Sequence, residues 1–591
     1  MCGIVGSIGL KNNKDFLIKG LKILDYRGYD SAGVALLHDK IDIYKYAGTV
    51  DNLEEKIKDV ADANIGIGHT RWATHGRVSD ANSHPHISNK GLFAIVHNGV
   101  IENYVELKNA LLKKGYHFYG ETDTEALVNL LESIYLEKND VLGSLDELTK
   151  VVKGSFASAI IFAKEKDRLY LLKRSSPLLV GKCLGSNLVA SDAASMISYT
   201  HDFIELDDDE YGYLTESEVH LYCDGSEVEH TVVTKNPELL EKNLNGFPHF
   251  MLKEIEEIES VVRRLILSHY DDGNFLFADE LKERIRQSDH IIFIGCGTSY
   301  HASLVGARYF EQIGISCSCY IASEWAYYPL IPGRRPFVIM ISQSGETADV
   351  IHCMNIVKRH HVKSLIITNS KGSSLERSAD FSILLNAGLE VSVASTKAYS
   401  AQVAALALLA NSINNSKKII SDFEKALSVV GEIRDEKKKE IKKIAKSIKD
   451  ATNIFYLGRG YDYDLSLEAS LKLKEISYIH SEAIAGGELK HGPIALIEEG
   501  LPVIVFISDD LTSAMMRGNI QEVKTRGAKV IVVSTKALAQ EGDDIVLDDF
   551  PKELSAVAMS PVAFYLAYYV ALYKGYNIDK PRNLAKSVTV E

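Results

Sequence analysis

The sequence predicts an α/β protein: a strand-rich sandwich followed by two doubly wound parallel sheets. Three observations carry this. Short apolar strands separated by turns dominate the chain up to about residue 235. From about residue 279 strands alternate with helical stretches, the pattern of a parallel sheet with helices on both faces. That alternation then recurs at an offset of about 160 residues, too long for a solenoid and right for a duplicated domain.

In the first part, residues 65–70, 92–96 and 158–162 read as buried strands, and 123–135 as a helix with matching apolar periodicity. Residues 253–259 form a charged amphipathic helix leading into the second half. There, 290–295 is a strand running into a glycine turn, and 336–341, 364–368 and 381–385 follow as further strands. Residues 453–460 resemble 291–297, 502–508 parallel 336–342, and 529–534 parallel 363–368. The expected organisation is a first domain over 2–217, a linker over 218–278, sheet domains over 279–420 and 444–581, and a tail over 582–591.

With 591 residues, 46% hydrophobic and 25% charged, the chain is ordinary for a globular protein of several domains. A net charge of −14 argues against a nucleic-acid partner. The seven cysteines are scattered without Cys-x-x-Cys pairs, so neither a disulfide framework nor a zinc site is expected, and the compartment should be reducing. There is no apolar signal region, and no apolar run reaches the roughly 18–20 residues of a membrane span. The expectation is a cytoplasmic protein without a membrane partner. Residues 401–410 read as a buried core helix, and the charged stretch 424–446 as solvated helix faces.

Cys2 stands directly behind Met1. Once Met1 is removed, Cys2 carries a thiol and a free α-amine on one residue. An α-amine with a pKa of about 7.7–8.0 can take the thiol proton near neutral pH. The structural alternative is a small buried hydrophobe. Around predicted strand ends cluster Arg27, His69 to Gly76, His97-Asn98-Gly99 and Gly120 to Asp123. Arg71 offers a bidentate partner for a carboxylate, Asp123 a partner for an ammonium, and Asn98 with Gly99 two N–H donors for an oxyanion. Each has an alternative: Arg71 in a plain salt bridge, Asn98-Gly99 as a hairpin turn, Asp123 as a helix cap. The five histidines from His69 to His97 fit no usual metal-ligand spacing, and no metal is expected.

In the second half, Ser342-Gln343-Ser344-Gly345-Glu346-Thr347 follows an apolar strand and offers hydroxyls and backbone N–H groups at a helix start, an anion site without the lysine of a nucleotide-binding loop. Thr298-Ser299 and Ser395-Thr396 follow neighbouring strands and could complete the ring. The second copy has Ser508-Asp509-Asp510 at the equivalent place, where an acidic pair would repel a phosphate. Lys472 to Glu475, and His491 within Glu488 to Gly492, read in isolation as a solvated helix face and a loop, and Lys586 as part of a frayed end.

The motifs around Cys2, Arg27, Arg71, Asn98 and Asp123 resemble those of class II glutamine amidotransferase domains, and the second half resembles paired sugar-isomerase (SIS) domains. Together they resemble the family of amidotransferases that isomerise and aminate a ketose phosphate, over essentially the whole chain. The resemblance implies an N-terminal-nucleophile αββα sandwich followed by two doubly wound parallel-sheet SIS domains. It implies L-glutamine and D-fructose 6-phosphate as substrates, a homodimer, and no cofactor. Cys2 would be the nucleophile, Asn98 and Gly99 the oxyanion hole, Arg71 and Asp123 the grips on glutamine, with Trp72, Thr74 and His75 lining its pocket. Ser342, Gln343, Ser344 and Thr347 would hold the phosphate, and Thr298, Ser299 and Ser395 the sugar. Lys586 would form a Schiff base, Glu475 would move the isomerising proton with help from Lys472, and His491 of the neighbouring subunit would open the sugar ring. Two other readings remain: an amidotransferase with another acceptor, and a sugar-phosphate-sensing protein, which would need neither Cys2, Lys586 nor Glu475.

Overall fold

The opening strand, Gly3–Ile8, is buried along its whole length and pairs with Ile65–Arg71 on one side and Ser186–Ala190 on the other. Successive side chains of a strand point to opposite faces, so this one serves two layers. Ile4 and Ile8 join an apolar cluster with Ala94, Val96, Ala159 and Ile161 of a facing sheet. Val5 points the other way, against Phe16, Leu17 and Leu21 of the helix Asn13–Leu24. The sheet has eight antiparallel strands and the facing one seven. Leu127, Leu131, Leu145 and Leu148, from the helices Asp123–Lys138 and Val141–Val151, cover the outer side of the second sheet over Phe93, Ile95 and Ile160. The layers are helix, sheet, sheet, helix: the expected αββα sandwich.

The structure, a computed structural model, describes residues 2–25, 28–72, 76–234 and 243–588. It divides into two units, 1–242 with 585–591, and 243–584. The first runs past the expected boundary at 217, because Val219–Cys223 and Ser226–Val228 continue the seven-stranded sheet. The stretch taken as a connector is also structural. Phe250–Glu256 and Ile258–His269 put Met251, Ile255, Val261 and Leu265 into the core of the second unit, and the Asp579 carboxylate accepts the N–H groups of Phe250 and Met251 at 2.8 and 2.9 Å.

The second unit holds two five-stranded parallel sheets of identical order, 2-1-3-4-5. The first runs Cys317–Ile321, His290–Gly295, Pro336–Ile341, Lys363–Thr368, Phe381–Leu384; the second His480–Ala485, Asn453–Gly458, Pro502–Ile507, Lys529–Thr535, Ile545–Leu547. The duplication extends to backbone angles. Gly297 and Gly460, at the turn after each first strand, have φ/ψ of 51°/−123° and 56°/−127°, a region that is essentially restricted to glycine. They aim the helices Thr298–Gln312 and Tyr461–Ser477 back along the sheets. These helices meet Lys397–Ile413 and Ser560–Tyr573 in one core shared by both copies. One stretch, Lys552–Tyr573, is long and apolar enough to cross a membrane, contrary to the sequence expectation, and its apolar window lies wholly inside this core. The charged stretch after 424 does present a solvated face, with Ile441, Ile444, Ala445 and Ile448 turned inward from Lys438–Ile448.

Gly460→Ala should lower the unfolding free energy by about 1–3 kcal/mol, because a Cβ strains this backbone region. Urea denaturation followed by far-UV circular dichroism measures this, and a wild-type midpoint would refute the argument.

Candidate active site

The register of the first two paired strands sets Gly3 against Thr70, which brings Cys2 level with Arg71 and Trp72. Cys2 Sγ accepts the Trp72 N–H at 3.3 Å. Burial raises the thiol pKa above its ordinary value, while the Trp72 N–H and the Arg71 charge act against that rise. From the facing sheet, Asn98 Nδ2 donates to the Cys2 carbonyl at 3.0 Å. Asn98 and Gly99 are not a hairpin turn. They lie within the strand Phe93–Ile101, paired with Ala157 and Phe156. Gly99 has φ 132°, and a Cβ there would stand 2.0 Å from the Ser155 carbonyl oxygen, so the strand geometry that presents its N–H requires glycine.

Asp123 opens the helix Asp123–Lys138 but is not its cap; Thr122 takes that role, accepting the Glu125 N–H at 3.3 Å. The buried Asp123 carboxylate accepts the N–H groups of Ile101 and Thr124, both at 2.9 Å. Arg71 is buried too. Burial lowers its pKa, and Cys2, Asp123 and Asp30 oppose that. A thiol, a guanidinium, a carboxylate and an amide donor thus converge at one end of the sandwich, a set suited to an amino-acid amide. Arg27, Thr74 and His75 lie outside the described residues.

In the second unit the Ser342 and Thr347 hydroxyls lie 2.8 Å apart, and the Gly345 N–H reaches Ser342 Oγ at 3.1 Å. Thr347 stands at the N-cap position of the helix Ala348–Arg359 without a capping side-chain bond, so this ring of hydroxyls and N–H groups lies at the positive end of a helix dipole. Gln343 is held through its carbonyl by the Asn369 N–H at 3.0 Å, and Ser344 Oγ accepts the Glu346 N–H at 3.2 Å. Thr298 Oγ1 donates to Glu468 at 3.0 Å and accepts from Lys472 Nζ at 3.0 Å. Lys472 is 1% exposed, which overturns the solvated-face reading. Burial works against its charge, but Glu475 at 2.6 Å and Glu468 at 3.4 Å hold its pKa above the ordinary lysine value. Ser299 Oγ accepts from Gln402 at 3.1 Å, and Ser395 Oγ donates to the buried Glu390 at 2.8 Å.

Comparison with known proteins matches a glutamine amidotransferase domain over residues 69–197 and SIS domains over 284–412 and 447–572. Glutamine–fructose-6-phosphate aminotransferase (isomerising) from Oceanobacillus iheyensis is 43% identical, and that from Geobacillus kaustophilus 42%, each covering 100% of both chains. The chain belongs to the glutamine–fructose-6-phosphate aminotransferase (isomerising) family. Among solved structures, the C-terminal domain of glucosamine-fructose-6-phosphate aminotransferase from Francisella tularensis matches at 35% identity and TM-score 0.54, over 57% of this chain and 100% of that one.

Two further residues carry roles implied by the family resemblance. His491 ends the short turn Leu489–His491 on an exposed surface, and its imidazole makes no hydrogen bond among the described residues. Lys586 is half-buried in the tail grouped with the first unit. Three residues of this family member escaped the sequence reading. Glu468 bonds Thr298, Lys472 and His301 (2.8 Å), and it lies four residues before Lys472 on one helix face, a spacing the sequence does display. Glu390 and His301 carry no comparable signal.

The second copy lacks an open anion site, though not through repulsion. Lys552 pairs with Asp509 at 2.8 Å and Asp510 at 3.0 Å. The donors are instead already taken: the Ser508 N–H and hydroxyl both bond the Asp462 carboxylate, at 2.8 and 2.5 Å. Asp462 and Ser299 each stand four residues after the glycine that ends the first strand of their sheets. One group of described residues has metal-ligand spacing, Asp207, Glu210 and His230, and it is tied internally by a His230–Glu210 contact of 2.8 Å.

Behind the thiol, His69 stacks on His84 with ring centroids 4.1 Å apart, and His84 meets His86 at 4.9 Å. Burial pushes His69 down to about 3, and His84 and His86 also well below the ordinary histidine value. Unfolded, these imidazoles take up protons near pH 6.5. The unfolded chain therefore binds more protons below pH 6.5, and stability falls with pH from there down to about 3 and is flat above. His69 should contribute a slope of about 1.4 kcal/mol per pH unit within that window, and His84 and His86 should add to it in the same direction below pH 6.5. Unfolding free energies between pH 4 and 6 should be less steep for His84→Gln; equal slopes would show that the buried imidazoles already carry protons.

Proposed function

We propose that this chain converts D-fructose 6-phosphate and L-glutamine to D-glucosamine 6-phosphate and L-glutamate. The observation that carries the reading is full-length similarity, at 43% identity, to proteins named for this reaction, with both domain types on one chain.

In the first half, the α-amine exposed by loss of Met1 takes the Cys2 proton, and the thiolate adds to the side-chain carbonyl carbon of glutamine. The electron pair moves to oxygen and is met by the Asn98 side chain and the Gly99 N–H. The α-ammonium returns its proton to the amide nitrogen, collapse expels ammonia and leaves a thioester, and water hydrolyses this to glutamate and free thiol. Arg71 pairs with the glutamine carboxylate and Asp123 with its ammonium, while Trp72, Thr74 and His75 line the pocket. The short Cys2–Trp72, Asn98–Cys2 and Asp123–Ile101 contacts support these roles.

In the second half, Ser342, Gln343, Ser344 and Thr347 hold the phosphate, and Thr298, Ser299 and Ser395 the sugar. His491, supplied by the other copy of a homodimer, assists ring opening; its exposure in the single chain is in keeping with that. The Lys586 amine condenses with the C2 ketone with loss of water. Ammonia, delivered within the protein, displaces Lys586 from C2. Glu475 then carries the proton from C1 to C2, with Lys472 beside it, which leaves the 2-amino aldose phosphate. No electrons are transferred to or from the substrates overall. All seven cysteines are free thiols, in keeping with a reducing, cytoplasmic setting.

Purified protein given glutamine and fructose 6-phosphate, with nothing else added, should form glucosamine 6-phosphate and glutamate one to one. Glutamate alone would point to a different acceptor. Cys2→Ala should abolish glutamine-dependent synthesis while sugar binding persists; product from that variant would remove the nucleophile. Lys586→Ala should end borohydride trapping of fructose 6-phosphate, and labelling at another lysine would reassign the Schiff base.

A further inference from the structure

The geometry assigns His69 as the positioning residue that aims the Asn98 amide at the reacting carbonyl, an inference that rests on the oxyanion role proposed for Asn98. His69 lies on the strand Ile65–Arg71 of one sheet, and Asn98 on Phe93–Ile101 of the other. His69 Nε2 reaches across the interlayer to the His97 carbonyl oxygen and to Asn98 Oδ1, both at 3.0 Å.

The identity of each atom is forced. A carbonyl oxygen only accepts, so His69 Nε2 carries the hydrogen. The Asn98 atom beside that N–H must then be oxygen, which leaves the NH2 on the opposite side. The same orientation is demanded from the other end, because Asn98 Nδ2 faces the Cys2 carbonyl, which also only accepts. An amide nitrogen carries two hydrogens. One is taken by Cys2, and the second has no acceptor among the described residues and is left for the oxyanion. Were the amide rotated, its oxygen would meet the developing negative charge and oppose it.

Other contacts keep His69 in this role. The ring is fully buried and stacks on His84 at an interplanar angle of 19°. His84 Nδ1 accepts the His97 N–H at 3.3 Å, and His97 Nδ1 lies 2.9 Å from Thr124 Oγ1, next to Asp123. The residue that would grip the glutamine ammonium and the one that would stabilise the oxyanion are therefore linked through one polar chain.

The test reads glutamate release from L-glutamine by the full-length protein, as kcat and KM. His69→Phe keeps the ring and its stack but removes the donor; kcat should fall about 10²-fold, the size of losing an oxyanion donor, with KM little changed. His69→Gln, which can present an N–H at similar reach, should recover most of the loss. In an Asn98→Ala background, His69→Phe should change nothing further, since the two act as one unit. Wild-type kcat in the Phe variant, or a Gln variant no better than Phe, would overturn the assignment. So would the Nδ1–H tautomer for His69 in the ¹⁵N spectrum of the histidine-labelled wild type, a measurement that needs no variant to fold. An Asn98→Ala enzyme with unimpaired kcat would instead remove the oxyanion reading itself, and the role of His69 with it.

Discussion

Lys472 keeps its charge in a place almost without water because Glu475 and Glu468 stand 2.6 and 3.4 Å away. Breaking such a pair would strand a buried charge, at a cost of about 3–5 kcal/mol. The pairing also fixes architecture. Glu468 and Lys472 both bond Thr298, and Glu468 bonds His301, so the helix of one sheet copy is tied to that of the other. Arg308 and Asp464 add a further ion pair between the same two helices. A duplicated fold could have left two independent sheets; these charges make the junction between them the polar centre of the unit.

The sandwich solves a similar problem with neutral groups. Four histidines, two asparagine atoms and a threonine are enclosed between or beside its sheets, where an unpaired donor would be costly. Most of them are linked in one hydrogen-bonded chain, and the backbone carbonyls of His97 and Cys2, which can only accept, set the directions of His69 and Asn98 within it. Burial keeps the imidazoles neutral, and a neutral imidazole has one donor and one acceptor. The orientation of Asn98 is thus set by the sheet backbones, through His69.

Much of this was legible in the sequence, for identifiable reasons. Strands such as Pro336–Ile341 and Asn453–Gly458 are continuous apolar runs, as expected for parallel strands covered on both faces. The glycine turns after His290–Gly295 and Asn453–Gly458 recur at the offset of the whole repeat, so the duplication could be read directly. Local pattern fails where tertiary burial decides. Lys472 lies in a stretch of mixed charge that looks solvated until the first sheet copy closes over it. Asn98-Gly99 has the composition of a hairpin, yet Gly99 is there for its closeness to the Ser155 carbonyl within a long strand. In the Lys552–Tyr573 stretch, tyrosines and short breaks interrupt the apolar run, although the fold buries its whole apolar window. Glu390, Glu468 and His301 serve partners distant in sequence or on another element, so only the folded chain reveals them.

Asp462 shows what happened to the symmetry of the second unit. Its carboxylate sits on the N–H and hydroxyl of Ser508, the position that in the other copy belongs to the Ser342 loop. The chain has supplied its own carboxyl group there, one that burial pushes up to about 6. Two sheets of identical strand order therefore differ at this one turn, and the second copy's helix instead carries Glu468, Lys472 and Glu475 to the junction with the first.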